Sequence, residues 1–453
     1  MTDAQRGEGS PDTGTGTGTA VEERHATWLE LFFDLIAVVG TAQLAHLLHG
    51  DPSAADIGLF VLLYLAFWTV WMCFTVYGNV AGDRARERTL LVGMLGMAVL
   101  AASVAGVHEG EHERAFALTY VLLRFVASGV WRRRREMLVD WPVAQFTAGV
   151  TPWVVSIWVD GPARHWLWAA GLAIDLWATL GISAARIRES VTARLSAPPR
   201  GGGPRTGGRG PRTGRGAHDT REAPGARVAR DAREARDRLP LTFAHVDPVH
   251  LGERLGLFTI IVLGEGVAQL VTTGSGEGWD RPLWGFGLAA FLLLVALWRL
   301  SLVRGYGGVP TLGAGVLPPR LVLLAHCVVN GALTALAAGL GAAMAHRHGP
   351  LPDHVRWTLC ASLAVYVAVA VLAAVVTRRA RGGPRDRRGL FGHLLPALLV
   401  SPAVGLFGGG LSALAVVWLL LLGPAWGVAG YLGRPARQAP EMPKVPEVPD
   451  ART

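Results

Sequence analysis

Apolar runs of about 20 residues recur along this chain, separated by short segments that hold most of its charge. Such a run forms a helix long enough to cross the roughly 30 Å hydrocarbon layer of a bilayer. One set lies near 28–48, 57–78, 89–107, 115–131, 141–159 and 164–184, and a second near 251–273, 283–303, 319–344, 355–377, 389–408 and 411–433. The pattern predicts an all-α polytopic membrane protein of about 12 transmembrane helices in two six-helix halves, residues 25–185 and 246–433. Residues 1–24 carry no basic n-region or small-residue cleavage site, so they read as a disordered tail ahead of a retained first span. Residues 186–245, rich in Arg, Gly and Pro with little aliphatic content, cannot bury a core and read as a disordered cytoplasmic linker; 434–453 is a Pro-rich tail.

Charge adds orientation. The chain is 51% hydrophobic and 17% charged, with a net charge of +9, and its basic residues lie between the spans, where membrane topology accounts for them better than a nucleic-acid partner does. With the N-terminus inside, 36 of the 43 basic residues fall in alternate, cytoplasmic connections. Arg114, Arg164, Arg281, Arg347 and Arg356 remain outside, and Arg124 and Arg254 belong to spans. Both ends of the chain are then cytoplasmic. Cys73, Cys327 and Cys360 are far apart with no CxxC and no His at metal-ligand spacing, so neither a disulfide framework nor a metal site is expected. No nucleophile with its base and no phosphate loop stands out, and the expectation is a protein that is not an enzyme and needs no cofactor.

The informative residues are charges inside apolar runs, which are costly there and need a partner or a task. Arg124, Asp175 and Glu265 lie near the middle of their spans, whereas Glu30, Asp34, Glu253 and Arg254 form a set toward the cytoplasmic ends of spans one and seven. Glu30 and Asp34, four apart, share a helix face and call for a cation, for which Arg254 is the natural choice. Two midspan acids face one midspan base. Glu265, between Gly264 and Gly266 and one turn from Gln269, is the acid expected to lack an arginine. The candidate ion, substrate or proton site is therefore Glu265, Asp175, Arg124 and Gln269. FFDLIAVVGTAQL (32–44) set over FTIIVLGEGVAQL (258–270) matches at Phe32/Phe258, Gly40/Gly266, Ala42/Ala268, Gln43/Gln269 and Leu44/Leu270, an offset of 226 that leaves open a duplication of the halves.

These segments resemble the bacterial low temperature requirement A (LtrA) family of membrane proteins. ELFFDLIAVVGTAQLAHLL is similar to that family's opening helix, GNVAGDRARERTLLVGMLGMAVLA to its second connection and third span, and FALTYVLLRFV to its fourth. HLGERLGLFTIIVLGEGVAQLV resembles its most specific motif, with His250, Glu253, Arg254, Gly264 and Glu265 in the matching places; Gly266 stands where the motif normally has Ser. The resemblance implies a multi-pass protein of the bacterial cytoplasmic (inner) membrane and brings no molecular activity with it.

Two expectations follow. The first is a secondary transporter or ion pathway for a small solute or ion, proton-coupled through midplane carboxylates. The alternative is a non-transporting scaffold or sensor linked to growth at low temperature, in which buried charges serve helix packing only. The lipid bilayer is the partner in both.

Overall fold

In the computed structural model, residues 27–134, 136–181, 242–381 and 387–432 are described. They form helices α1 (Trp28–His46), α2 (Ala54–Ala81), α3 (Glu87–His108), α4 (Glu113–Arg134), α5 (Val150–Ser156), α6 (Pro162–Gly181), α7 (Pro248–Ser275), α8 (Arg281–Trp298, continued by a π turn over Arg299–Val303), α9 (Pro319–Ala345), α10 (Asp353–Ala380), α11 (Arg387–Phe407) and α12 (Ala413–Leu432). Among the described residues, nine helices are long and apolar enough to cross a membrane: α1–α4, α7–α10 and α12.

Polar caps start the helices that matter most for the buried charges. Thr27 and Glu30 form a reciprocal capping box on α1, and Ser53 and Asp56 do the same on α2. Asp247 accepts from the backbone N–H groups of Val249 and His250, and Pro248 follows at the first helical position, where its missing N–H costs nothing.

The expected span at 141–159 is not a single helix. Trp141 leads into a 3-10 turn, Pro142–Ala144, then a loop and the seven-residue α5. Pro142 and Gly149 disfavour a continuous helix here, and Pro152 sits in the first turn of α5 where no N–H is needed, although the composition is apolar enough for a span. The expected linker also ends early: Thr242–Ala244 is a strand, β2, paired in parallel with β1 (Glu136–Leu138). Val246 N–H then bonds to Asp140 Oδ2 at 3.0 Å, which ties the end of α4 to the start of α7. The rest of that linker and both tails lie outside the described residues.

The two sets of helices pack in the same order. In the first, α1 packs on α3, α3 on α4, α4 on α5, α5 on α6 and α2 on α6; in the second, α7 packs on α9, α9 on α10, α10 on α11, α11 on α12 and α8 on α12. Helices α1 and α7 join the sets side by side. They run parallel with a register of 220 residues, seen in Asp34 with Arg254 near one end and His49 with Gln269 at the other. The alignment offset of 226 differs from this contact register by six residues, about 9 Å of helix. Residues matched in sequence thus stand at different heights in the bundle.

The membrane face at which α1 starts is called here the Trp28 face, and the one at which it ends the His49 face. Four of the five arginines expected on the His49 side are held by carboxylates: Arg114 by Asp160, Arg164 by Glu113 and Asp160, Arg347 by Glu277 and Asp280, and Arg356 by Asp353.

Candidate functional site

Near the Trp28 face, α1, α2 and α7 enclose a cluster of charges. Asp34 takes Arg254 with both carboxylate oxygens, Nε to Oδ2 at 2.9 Å and Nη2 to Oδ1 at 2.6 Å, and the indole N–H of Trp71 donates to Oδ1 at 2.9 Å. Glu30 lies 3.3 Å from Arg254 Nη1 and 3.4 Å from His250 Nε2. It has a second task, accepting from Thr27 N–H at 2.9 Å to close the helix cap. Glu30, Asp34, His250 and Arg254 are all almost fully buried. Gly78 on α2 makes room for them, since a Cβ there would stand 2.9 Å from Glu30 Oε1.

The tautomer of His250 follows from its neighbour. Asp247 N–H donates to Asn79 Oδ1 at 2.8 Å, so Asn79 presents its NH2 to His250 Nδ1 at 3.1 Å. Nδ1 must accept, and the ring proton sits on Nε2, facing Glu30. Trp71 closes the cluster on its inner side, with its ring 4.2 Å from that of Phe258. His326 of α9 belongs to the same apolar layer. It accepts from Trp68 Nε1 at 3.3 Å and donates from Nε2 to Leu255 O at 3.1 Å, a link between α2, α7 and α9.

The second set joins α4 to α6. Arg124 Nη1 reaches Asp175 Oδ2 at 2.5 Å and Tyr120 Oη at 3.0 Å, while Nη2 donates to the carbonyls of Val143 and Phe146, both at 3.0 Å. These carbonyls come from the broken segment that replaces the expected fifth span. The break leaves backbone acceptors unpaired inside the bundle, and Arg124 satisfies two of them. Gly149 permits the approach of α6, because a Cβ there would lie 2.2 Å from Asp175 Oδ1. Asp175 lines a largely apolar cavity of about 590 Å³ between α2 and α6, with Leu62, Trp68, Trp141 and Leu172.

The third set lies toward the His49 face. Gln269 donates from Nε2 to Glu265 Oε1 at 2.6 Å, and its Oε1 is 3.1 Å from Nε2 of His49, just past the end of α1. His46 stacks on His49 with ring centres 4.9 Å apart. Glu265 is 6% exposed, and among the described residues no arginine or lysine forms an ion pair with it.

The structure thus divides the residues singled out by sequence. Arg124 pairs with Asp175, Glu265 pairs with Gln269, and among the described residues no hydrogen bond or ion pair joins the two. Arg254 meets both Glu30 and Asp34. Glu253 is exposed and stands outside the buried cluster, where His250 fills the place that sequence reasoning gave it. Gly264 is exposed with open space around it, so it brings no helix toward Glu265; Gly266 faces Leu294 of α8. A serine at 266 would therefore point at α8 and not at Gln269. Asn79, Trp71, Tyr120 and His49 were not anticipated, though Thr27-x-x-Glu30 is a readable capping signature that assigns Glu30 a local task. Among the described residues no three His, Cys, Asp or Glu side chains are grouped so as to hold a metal ion.

Apolar helices in sufficient number, with polar side chains turned inward and matched across helix contacts, define a polytopic helical membrane protein. The chain belongs to the bacterial low temperature requirement A protein (LtrA) family, whose sequence profile matches residues 25–424. Comparison with curated proteins and with solved structures gives no match.

Proposed function

We propose that the protein is a proton-coupled secondary transporter or ion pathway of the bacterial cytoplasmic membrane, with both chain ends on the cytoplasmic side and Glu265 as the group that binds and releases the proton. One observation carries this reading. Asp34 and Asp175 are each matched by an arginine, whereas Glu265, equally buried, is met by the neutral amide of Gln269. An acid inside the membrane that no fixed cation holds is a position at which a proton or a cation can be carried. The reading needs no catalytic step; it needs a small solute or ion whose movement is tied to the proton.

The alternative of a scaffold or sensor draws its support from Asp34–Arg254 and Arg124–Asp175, whose saturated bonds suit a role in helix packing. Proton flux separates the two. Protein in liposomes, with a pH dye inside and an imposed potassium diffusion potential, is expected to take up protons faster than empty liposomes, and Glu265→Gln to abolish the difference. Flux equal in wild type and Glu265→Gln would remove Glu265 from the mechanism, and no flux above empty liposomes would favour the scaffold.

A further inference from the structure

We infer that His49 sets the charge of Glu265 through the amide of Gln269, so that the two groups titrate as one unit that opens on the His49 face; this rests on Glu265 being the proton-binding carboxylate proposed above. Donors and acceptors must match along the row His49, Gln269 and Glu265. His49 Nδ1 lies 3.2 Å from Ala45 O, a carbonyl that only accepts, so Nδ1 keeps its proton in every state. Nε2 alone remains to titrate, and it faces Gln269 at 3.1 Å. The other end of the same amide faces Glu265 Oε1 at 2.6 Å.

An amide has one accepting and one donating end, and these point in opposite directions. When His49 carries its second proton, Nε2–H donates to the amide oxygen, and the amide NH2 turns to Glu265 and bonds its carboxylate. When His49 is neutral, its Nε2 lone pair needs the NH2, the amide oxygen turns to Glu265, and Glu265 must hold a proton to donate. Each arrangement holds one titratable proton, on one end or the other. With neither end protonated, two lone pairs compete for one NH2, and a buried acceptor is left unmatched, which is costly. The pair therefore holds its last proton jointly, and its titration belongs to the pair. No bond to Gln269 forms or breaks; the amide turns about its terminal torsion and each end exchanges its own proton.

The surroundings suit this role. His49 is half-buried and His46, stacked on it, is exposed, so the chain reaches the His49 face. Helix α9 meets the chain through Gly341, where a Cβ would lie 3.2 Å from Gln269 Oε1 and 3.6 Å from His49 Nε2, so no α9 side chain stands between them. Helix α8 contributes Leu294 against Gly266. Asp51, two residues past His49, is occupied by His354 of α10 at 2.8 Å.

The test measures the protonation of Glu265 without requiring transport. Full-length protein in lipid vesicles is treated across a pH series with a hydrophobic carbodiimide, which modifies protonated carboxyls, and labelling of Glu265 is read by peptide mass spectrometry. His49→Phe is expected to move the labelling midpoint by about one pH unit, a tenfold change in proton affinity. In a Gln269→Met background the same substitution is expected to move it little, because the connecting amide is gone. An equal shift in both backgrounds, or no shift in either, overturns the inference while leaving the proton-binding reading standing. Labelling of wild type that does not depend on pH overturns both. Should His49→Phe fail to fold, His49→Gln, which removes the charge and keeps a polar contact, replaces it with the same expected outcomes.

Discussion

Asp34 and Arg254, 220 residues apart in the chain, meet in a two-pronged ion pair whose carboxylate also accepts the indole N–H of Trp71. The pair fastens the first helix of one set to the first helix of the other. Removing one partner leaves an uncompensated buried charge, so Asp34→Asn or Arg254→Met is expected to cost about 3–5 kcal/mol. Cys73, Cys327 and Cys360 are free and buried, so the onset of labelling by a thiol dye during a thermal ramp in detergent checks this directly. Exchanging the two charges is not expected to restore stability, since an aspartate at 254 would face Glu30, now 3.3 Å from Arg254 Nη1.

The Arg124–Asp175 pair gives a related outcome for a different reason. Arg124 is bound to two backbone carbonyls as well as to Asp175, and a carboxylate at 124 cannot donate to them. The double reversal Arg124→Asp with Asp175→Arg is therefore expected to remain unstable in the same assay. Arg124→Lys keeps the charge but loses the planar fork, and an intermediate loss of about 2 kcal/mol is expected. Full rescue by the reversal would show that the pair acts through charge alone.

The α7–α8 connection on the His49 face has an acid-dependent anchor. Asp280 caps α8, accepting from Leu283 N–H at 2.8 Å, and lies beside Arg347 and His348. The backbone bond to Leu283 first, and Arg347 second, hold the Asp280 carboxyl below its usual range. A depressed pKa stabilises the folded state above the unfolded value, and that contribution is lost as pH falls through the folded one. Hydrogen exchange of the α8 first turn should then accelerate below about pH 4, where a free aspartate protonates. Asp280→Asn should reduce this acid-dependent step, and an undiminished step in the variant would assign it to another group.

Much of the bundle was legible because a helix in lipid must be apolar along its whole length, and 20-residue runs have few other readings. The break within 141–159 is not legible in composition, which is apolar throughout; it follows from Pro142 and Gly149, which disfavour a continuous helix. Charges in apolar runs stood out singly, so Glu30, Asp34, Arg124, Asp175, Arg254 and Glu265 were all found. Their grouping was less accessible, since a sequence does not say which helices touch. Arg254 could be matched to Glu30 and Asp34 by depth alone, but depth also put Glu265 with Arg124 and Asp175, which lie on other helix contacts. His49 lies just past a span and Asn79 near the end of one, where polar residues are common, and neither is distinguishable there without its partner.

The proposed coupling requires that Glu265 take up a proton in the folded, membrane-embedded protein. Infrared difference spectra of the protein in lipid, recorded as pH is lowered, test it most directly through the carbonyl stretch of a newly protonated carboxylic acid. A band that grows on acidification is expected in wild type and is expected to be missing from Glu265→Gln, with the buried thiols still protected in both. An identical band in the two proteins would contradict it.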